Sequence, residues 1–170
     1  MSLTQILKID KVKTNTLAQF STLLALSAIL PLFHQQTVTG PLVNAILFIA
    51  TIMLGVPSAM LIALIPSVIA LSVGLLPAIL APAIPFIMLS NVLLVLIFNS
   101  LKNNNYWLGI ISASLIKFGF LFISSHFIIK TLVQIPVAQK VSAMLSYPQL
   151  FTALIGGMLA YIILKLMKKI

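Results

Sequence analysis

The chain has 170 residues, of which 61% are hydrophobic and 6% charged. Because soluble globular proteins carry roughly 25% charged residues, this composition excludes that class and predicts an integral membrane protein. The net charge of +9 comes from ten lysines against one acidic residue, Asp10. Most of the lysines lie at the ends of apolar segments, where topology and contact with membrane lipid account for them, so no nucleic-acid partner is expected.

Six apolar segments follow one another along the chain, and at about 20 residues per span they predict six transmembrane helices. The predicted fold is therefore all-α, a bundle of six helices that forms a single membrane domain over residues 1–170. Residues 1–15 are polar and basic and are expected to lie at the membrane interface. The predicted spans cover residues 16–33, 41–54, 58–73, 84–101, 106–129 and 147–166.

The connections between these spans differ in length and composition. Residues 34–40 are polar, residues 74–85 hold three prolines, which favour an irregular loop, and residues 130–146, with Pro136, form the longest connection. Seven lysines lie on the side of the termini and two on the other side. This asymmetry predicts cytoplasmic termini in the cell inner (cytoplasmic) membrane, with the three long loops outside.

Lys117 lies in the middle of the fifth span, far in sequence from Asp10. Burying an ammonium in hydrocarbon costs at least about 2.5 kcal/mol, so such a side chain usually faces a cavity or a partner. The candidate partners are water, backbone carbonyls or a bound anion. Ser114, Lys117, Leu121 and Ser124 share one stripe of the helix, which predicts one wall of an outward-facing pocket.

The other polar residues of the spans fall mostly in the predicted outer half. The alternatives are hydrogen bonds between helices for the amides, an interfacial position for His126 and ordinary packing for Leu121. The side chains expected to contact a substrate, including a lid formed by residues 34–37, are Asn44, Asn91, Lys117, Leu121, His126, Tyr147, Gln149, His34, Gln35, Gln36 and Thr37.

Small residues spaced four apart form a second pattern and permit close approach of helices. They serve either packing inside the bundle or docking of another membrane protein. Packing is preferred for Gly156 and Ala160. The candidate docking residues are Ser21, Ala25, Ala59, Ala63 and Ser67.

The chain lacks the residues that most membrane enzymes use. A single carboxylate and no cysteine exclude acid/base pairs and thiolate sites, and two separated histidines are too few for a zinc site. No catalytic residue, cofactor or metal is therefore predicted.

Two stretches, TGPLVNAILFIATIMLGVPSAMLIALIPSVIAL and PAIPFIMLSNVLLVLIFNSL, give the chain a family resemblance. It resembles the substrate-binding (S) components of energy-coupling factor (ECF) transporters, six-helix proteins of vitamin uptake. The resemblance implies outer loops that cap a substrate cavity, and a transmembrane coupling subunit with two ATPase subunits that meets the first three helices. The loaded protein would topple in the membrane and release substrate inside. The family's alanine-x-x-x-alanine docking pattern corresponds to Ser21 and Ala25.

The function predicted from these features is high-affinity binding of a small nutrient, vitamin-like and anionic, for ATP-driven uptake, and the protein is not expected to be an enzyme. The alternatives are a structural or assembly subunit of a membrane complex and a small membrane enzyme that acts on lipid substrates.

Overall fold

The computed structural model describes residues 3–132 and 142–170, and these are mainly helical, with no strand among them. Two short 3₁₀ segments, Leu30–Phe33 and Ala78–Ala83, lie in the connections before α2 and α4. The main helices are α1 (Leu3–Ile29), α2 (Gln36–Met53), α3 (Val56–Ser72), α4 (Ile84–Leu101), α5 (Tyr106–Leu132) and α6 (Tyr147–Leu166).

Five segments in the described part of the chain are long and apolar enough to cross a membrane: Thr14–Phe33, Gln36–Met53, Leu80–Leu101, Tyr106–His126 and Ser142–Leu166. α3 is a shorter apolar helix of 17 residues. The protein is a multi-pass membrane protein by the length and composition of these helices.

The predicted boundaries of the fourth and sixth spans agree with α4 and α6, and the predicted start of the second span is wrong. α1 begins at Leu3, so residues 3–15 are helical, which is consistent with the absence of glycine and proline there. The candidate first span, Thr14–Phe33, begins close to the predicted residue 16. α2 begins at Gln36, five residues before Pro41. Pro41 lies inside α2, beyond its first turn, and removes the bond that its N–H would donate to the carbonyl of Thr37.

The described parts of the remaining connections agree with their predicted character. Residues 74–85 form a turn followed by the 3₁₀ segment, and α5 extends to Leu132, beyond the predicted end at residue 129. The expected loop around Pro136 lies outside the described residues. The connections at the other end are short: residues 54–55 join α2 to α3, and residues 102–105 join α4 to α5. We refer to the end with segments 30–40, 74–85 and 142–149 as the loop end.

Two apolar clusters form the core, and a polar layer separates them along α4 and α5. On α4, Ile87 belongs to the cluster at the loop end and Leu94 to the larger cluster, with Asn91 between them. On α5, Lys117 lies in the same way between Ala113 and Leu121. The arrangement therefore places the lysine and the asparagine at one level of the bundle.

α1 packs loosely at the edge of the bundle, because only 11% of its spanning window is buried, against 61% for α2. In contrast, α2 packs most extensively against α6. The side chains that hold the polar layer therefore come from the inner helices.

Candidate functional site

The Lys117 side chain is buried, at 3% exposure, and its ammonium group contacts two carboxamides. Nζ donates to Oδ1 of Asn44 at 2.6 Å and to Oδ1 of Asn91 at 2.7 Å. These contacts join α5 to α2 and α4. Among the described residues, these two oxygens are the acceptors of the ammonium group. Since the ammonium carries three N–H groups, one N–H group remains for a ligand or a water molecule.

Both asparagine side chains are oriented by backbone carbonyl groups. Nδ2 of Asn44 donates to the carbonyl of Gly40 at 2.9 Å and lies 3.5 Å from Oγ1 of Thr152. Nδ2 of Asn91 donates to the carbonyl of Ala63, on α3, at 3.3 Å. Because the amide nitrogens are engaged in this way, the oxygens point at the ammonium, and the cation is held by two neutral acceptors.

The stripe of α5 that carries Lys117 faces inward, as predicted from its spacing. Ser114, Leu121 and Ser124 are all buried together with the lysine. The hydroxyl of Ser114, one turn from Lys117, is the buried side-chain atom without a hydrogen-bond partner in the described part of the chain. Leu121 is fully buried in the cluster at the loop end, which favours the packing alternative for this residue.

A small cavity of about 80 Å³, the inner chamber, lies beside the ammonium. Lys117, Asn44 and Asn91 line it together with Gln36 and Gln149, which lie near the loop end. Its volume corresponds to two or three water molecules at roughly 30 Å³ each. The chamber therefore brings five of the predicted substrate-contacting residues to one place.

A second cavity of about 340 Å³, the outer chamber, lies next to the first at the loop end. Gln36, Gly40 and Gln149 line both chambers, and Thr37 and Thr152 line the outer one. Nε2 of Gln149 donates to the carbonyl of Met144 at 3.2 Å, which holds the residue at the boundary. The two chambers are therefore neighbours that share part of their lining.

Two glycines allow α6 to approach α2 closely beside the site. A Cβ at Gly156 would lie 2.7 Å from Cβ of Asn44 and 2.6 Å from the carbonyl oxygen of Pro41. A Cβ at Gly40 would lie 2.8 Å from Cγ2 of Thr152. The position of the Asn44 carboxamide therefore depends on the absence of side chains at these two positions.

Four of the other predicted contact residues line neither chamber. Tyr147 is exposed and stacks on Phe118, with ring centroids 5.5 Å apart. His126 is exposed, and its ring centroid lies 5.5 Å from that of Phe122, on the outside of α5. In the predicted lid, Gln36 and Thr37 lie on the first turn of α2 and line the chambers, whereas His34 and Gln35 are exposed and line neither.

Some of the candidate docking residues are buried inside the bundle and others are exposed on its surface. Ala59 and Ala63 are fully buried and Ser67 is 4% exposed, so the stripe on α3 serves packing inside the bundle. The prediction that α3 docks a partner through these residues is wrong, and Ser67 lines the inner chamber instead. Ser21 and Ala25 on α1 are exposed, as a docking face requires.

Several residues of the site were not predicted from the sequence. Gly40 and Thr152 line the outer chamber, and Ala63 holds Asn91 through its carbonyl. No residue-type signal distinguishes a backbone carbonyl that accepts such a bond. The TGP sequence at residues 39–41 could have indicated Gly40, since a glycine near a polar intramembrane residue permits close approach of a neighbouring helix.

The described residues contain no group of three or more His, Cys, Asp or Glu side chains that could hold a metal ion. Comparison with protein-family models, with curated proteins and with solved structures gave no match to this chain. Functional inference therefore depends on the geometry of the site.

Proposed function

We propose that this protein is the membrane-embedded substrate-binding subunit of an ATP-driven, ECF-type uptake system, and that it binds a small anionic nutrient. The observation that supports the proposal is a buried ammonium with neutral acceptors only, next to a cavity. A buried charge is strongly unfavourable unless it is paired. A bound anion supplies the opposite charge that Asn44 and Asn91 lack.

The charge of the site favours a carboxylate over a phosphate. Among the described residues that line the two chambers, Lys117 is the one cation. A phosphate group carries about −1.5 to −2 charges at neutral pH, so a single ammonium would leave negative charge unpaired in the bundle. A monocarboxylate is neutralised completely by one ammonium.

The volumes of the chambers set the shape of the ligand. The inner chamber, at about 80 Å³, admits the acidic group alone, while the outer chamber, at about 340 Å³, admits the body of the molecule. Small-molecule pockets usually measure about 300–1,000 Å³. A nutrient with a carboxylate at one end and a mostly apolar body fits, with Gln36 and Gln149 available for polar groups at the boundary.

The topology that goes with this function has six spans and both termini in the cytoplasm, so that the loop end and the outer chamber face outward. α3, with 17 residues, lies at the lower limit of about 17–25 residues for a span. A nutrient would then enter between the first turns of α2 and α6 and reach Lys117 from outside.

Uptake requires an energy source outside this chain, which we assign to a transmembrane coupling subunit with two ATPase subunits. The loosely packed α1 offers a contact surface for it, since Ser21 and Ala25 are exposed and small. Small residues permit close approach between membrane helices. The stripe on α3 takes no part, because Ala59 and Ala63 are buried.

Native mass spectrometry of the detergent-purified protein tests the proposal. We expect the wild-type protein to retain a small carboxylic acid, or to show a raised melting temperature with members of a carboxylic-acid library; a ligand at 100 times its Kd stabilises by about 2.7 kcal/mol. Lys117→Met removes the charge at similar volume and should abolish both effects. Lys102→Met, in the turn at residues 102–105 and outside both chambers, is the control.

The structural alternative is favoured by one observation, namely that Lys117 joins three helices through its two hydrogen bonds. A subunit of that kind retains no small molecule and gains no stability from any carboxylate. If Lys117→Met and the wild-type protein bind the same ligand equally well, the ammonium is not a recognition element and the proposal fails.

A further inference from the structure

An apolar groove on the outside of the bundle lies apart from the site of Lys117. It measures about 500 Å³ and is formed by α1, α2 and the end of α6. Ala18, Thr22 and Leu26 line it from α1, Ile46 and Ile49 from α2, and Met167 follows α6. The groove exists because α1 packs against α3 with one face and leaves a gap on the side of α2.

The lining of the groove is mostly apolar, and among the described residues that form it Gln19 and Thr22 are the two polar ones. Thr22 donates its hydroxyl to the carbonyl of Ala18 at 2.8 Å. A threonine that bonds back to its own helix presents its methyl group outward. The occupant of the groove is therefore expected to be mainly hydrocarbon.

The length of the groove matches that of an acyl chain. The lining runs from Ala18 on α1 to Leu30, which follows α1, and these twelve steps cover about 18 Å at a rise of 1.5 Å per residue. This is slightly more than one leaflet of a hydrocarbon core of about 30 Å.

Positive charge follows the end of the groove at Met167. Lys168 and Lys169 come next in the chain, and both are exposed. Lys168 has a left-handed backbone conformation with φ 54°, which ends the helical path directly after Met167. Lys165 lies over the ring of Tyr161, at 5.7 Å from its centroid, and so is engaged elsewhere. Clustered lysines next to a membrane helix attract anionic lipid headgroups.

We propose that this groove binds one acyl chain of an anionic phospholipid, with the headgroup at Lys168 and Lys169. The chain fills the space between α1 and α2 that the protein leaves open. Packing, and not hydrophobic transfer, holds it there, since lipid tails are as apolar as the groove. The bound lipid thereby completes the contact of α1 with the bundle.

The test uses the full chain reconstituted in vesicles of equal parts phosphatidylglycerol and phosphatidylcholine, then extracted into mild detergent for native mass spectrometry. We expect one retained phospholipid, with phosphatidylglycerol preferred by about fivefold or more, as one or two lysines would produce. Thr22→Trp fills the groove and should lower retention by at least about tenfold, because the acyl chain loses its packing contacts with α1 and α2. Leu17→Trp, also exposed on α1 but outside the groove, should leave retention unchanged.

Replacing both terminal lysines, Lys168→Gln with Lys169→Gln, should equalise the two lipids without abolishing retention. If Thr22→Trp does not fold, Ala18→Trp, which is also exposed and lines the groove, takes its place. The proposal is overturned if the wild-type protein retains no lipid, or if it retains both lipids equally. It is also overturned if the tryptophan variant inside the groove retains as much lipid as the control tryptophan variant outside it. A dimer that Thr22→Trp dissociates would show a second copy in the groove and would also overturn it.

Discussion

At the scale of single residues, the molecule depends on how one buried ammonium is satisfied. Lys117 donates to Asn44 and Asn91, and backbone carbonyls of Gly40 and Ala63 hold the two amides in place. Each carboxamide therefore bonds at both ends. Replacing a buried charge by an apolar group of similar volume is often neutral or stabilising, whereas removal of one partner leaves the charge poorly satisfied.

A double-mutant cycle measures this dependence. Asn91→Leu should lower the free energy of unfolding by about 1.5–3 kcal/mol, because a hydrogen bond to a charged group is lost in the interior. In a Lys117→Met background the same change should cost about 0.6 kcal/mol, the usual value of a hydrogen bond between membrane helices. Unfolding in sodium dodecyl sulfate, followed by circular dichroism, gives all four values. Equal costs in both backgrounds would mean that the contact between Lys117 and Asn91 contributes nothing.

At the scale of helices, the contact of α2 with α6 positions Asn44. Gly156 makes the closest approach, because a Cβ there would lie within 2.7 Å of Cβ of Asn44. Real Cβ atoms do not come so near to other atoms, and two of the three nearest neighbours of Gly156 are backbone atoms of Pro41 and Ala45. Any side chain at residue 156 must therefore separate the two helices and shift the carboxamide.

Gly156→Ala should consequently lower the free energy of unfolding by about 1–3 kcal/mol, as overpacking does, and should weaken ligand binding. Gly119→Ala is the matched control, because a Cβ at Gly119, also within a helix, meets no atom within 4 Å. It should leave binding unchanged and stabilise the helix by up to about 1 kcal/mol. The measurements are the melting temperature and the ligand retention of each variant. If Gly156→Ala and Gly119→Ala change these two quantities to a similar extent, the close-packing argument is refuted.

At the scale of the whole molecule, the two ends of the bundle differ in construction. The loop end holds both chambers, while the opposite end holds connections of two and four residues and most of the lysines. In the proposed six-span topology, the excess of lysine holds the opposite end in the cytoplasm. The outer chamber then opens to the exterior.

Single cysteines can map this topology directly, because the chain contains no cysteine of its own. Gln35→Cys at the loop end and Asn104→Cys in the turn at residues 102–105 both lie at exposed positions. A membrane-impermeant maleimide applied to intact cells should label the cysteine at position 35 and reach the one at position 104 only after permeabilisation. The reverse pattern would place the chambers on the cytoplasmic side and contradict uptake through them.

The sequence alone determined the membrane class, the bounds of α4 and α6 and the inward face of α5, because hydropathy and helical period are local properties. It also singled out Lys117, since a charge in an apolar helix stands out from its neighbours. Only the tertiary structure decided which acceptors meet the ammonium, that Ala63 faces the interior while Ala25 does not, and that His126 and Tyr147 lie outside the chambers. These outcomes depend on how each helix is rotated about its axis and on how closely the helices approach one another. In uniformly apolar helices, the sequence of hydrophobic and polar residues specifies neither the rotation nor the distance.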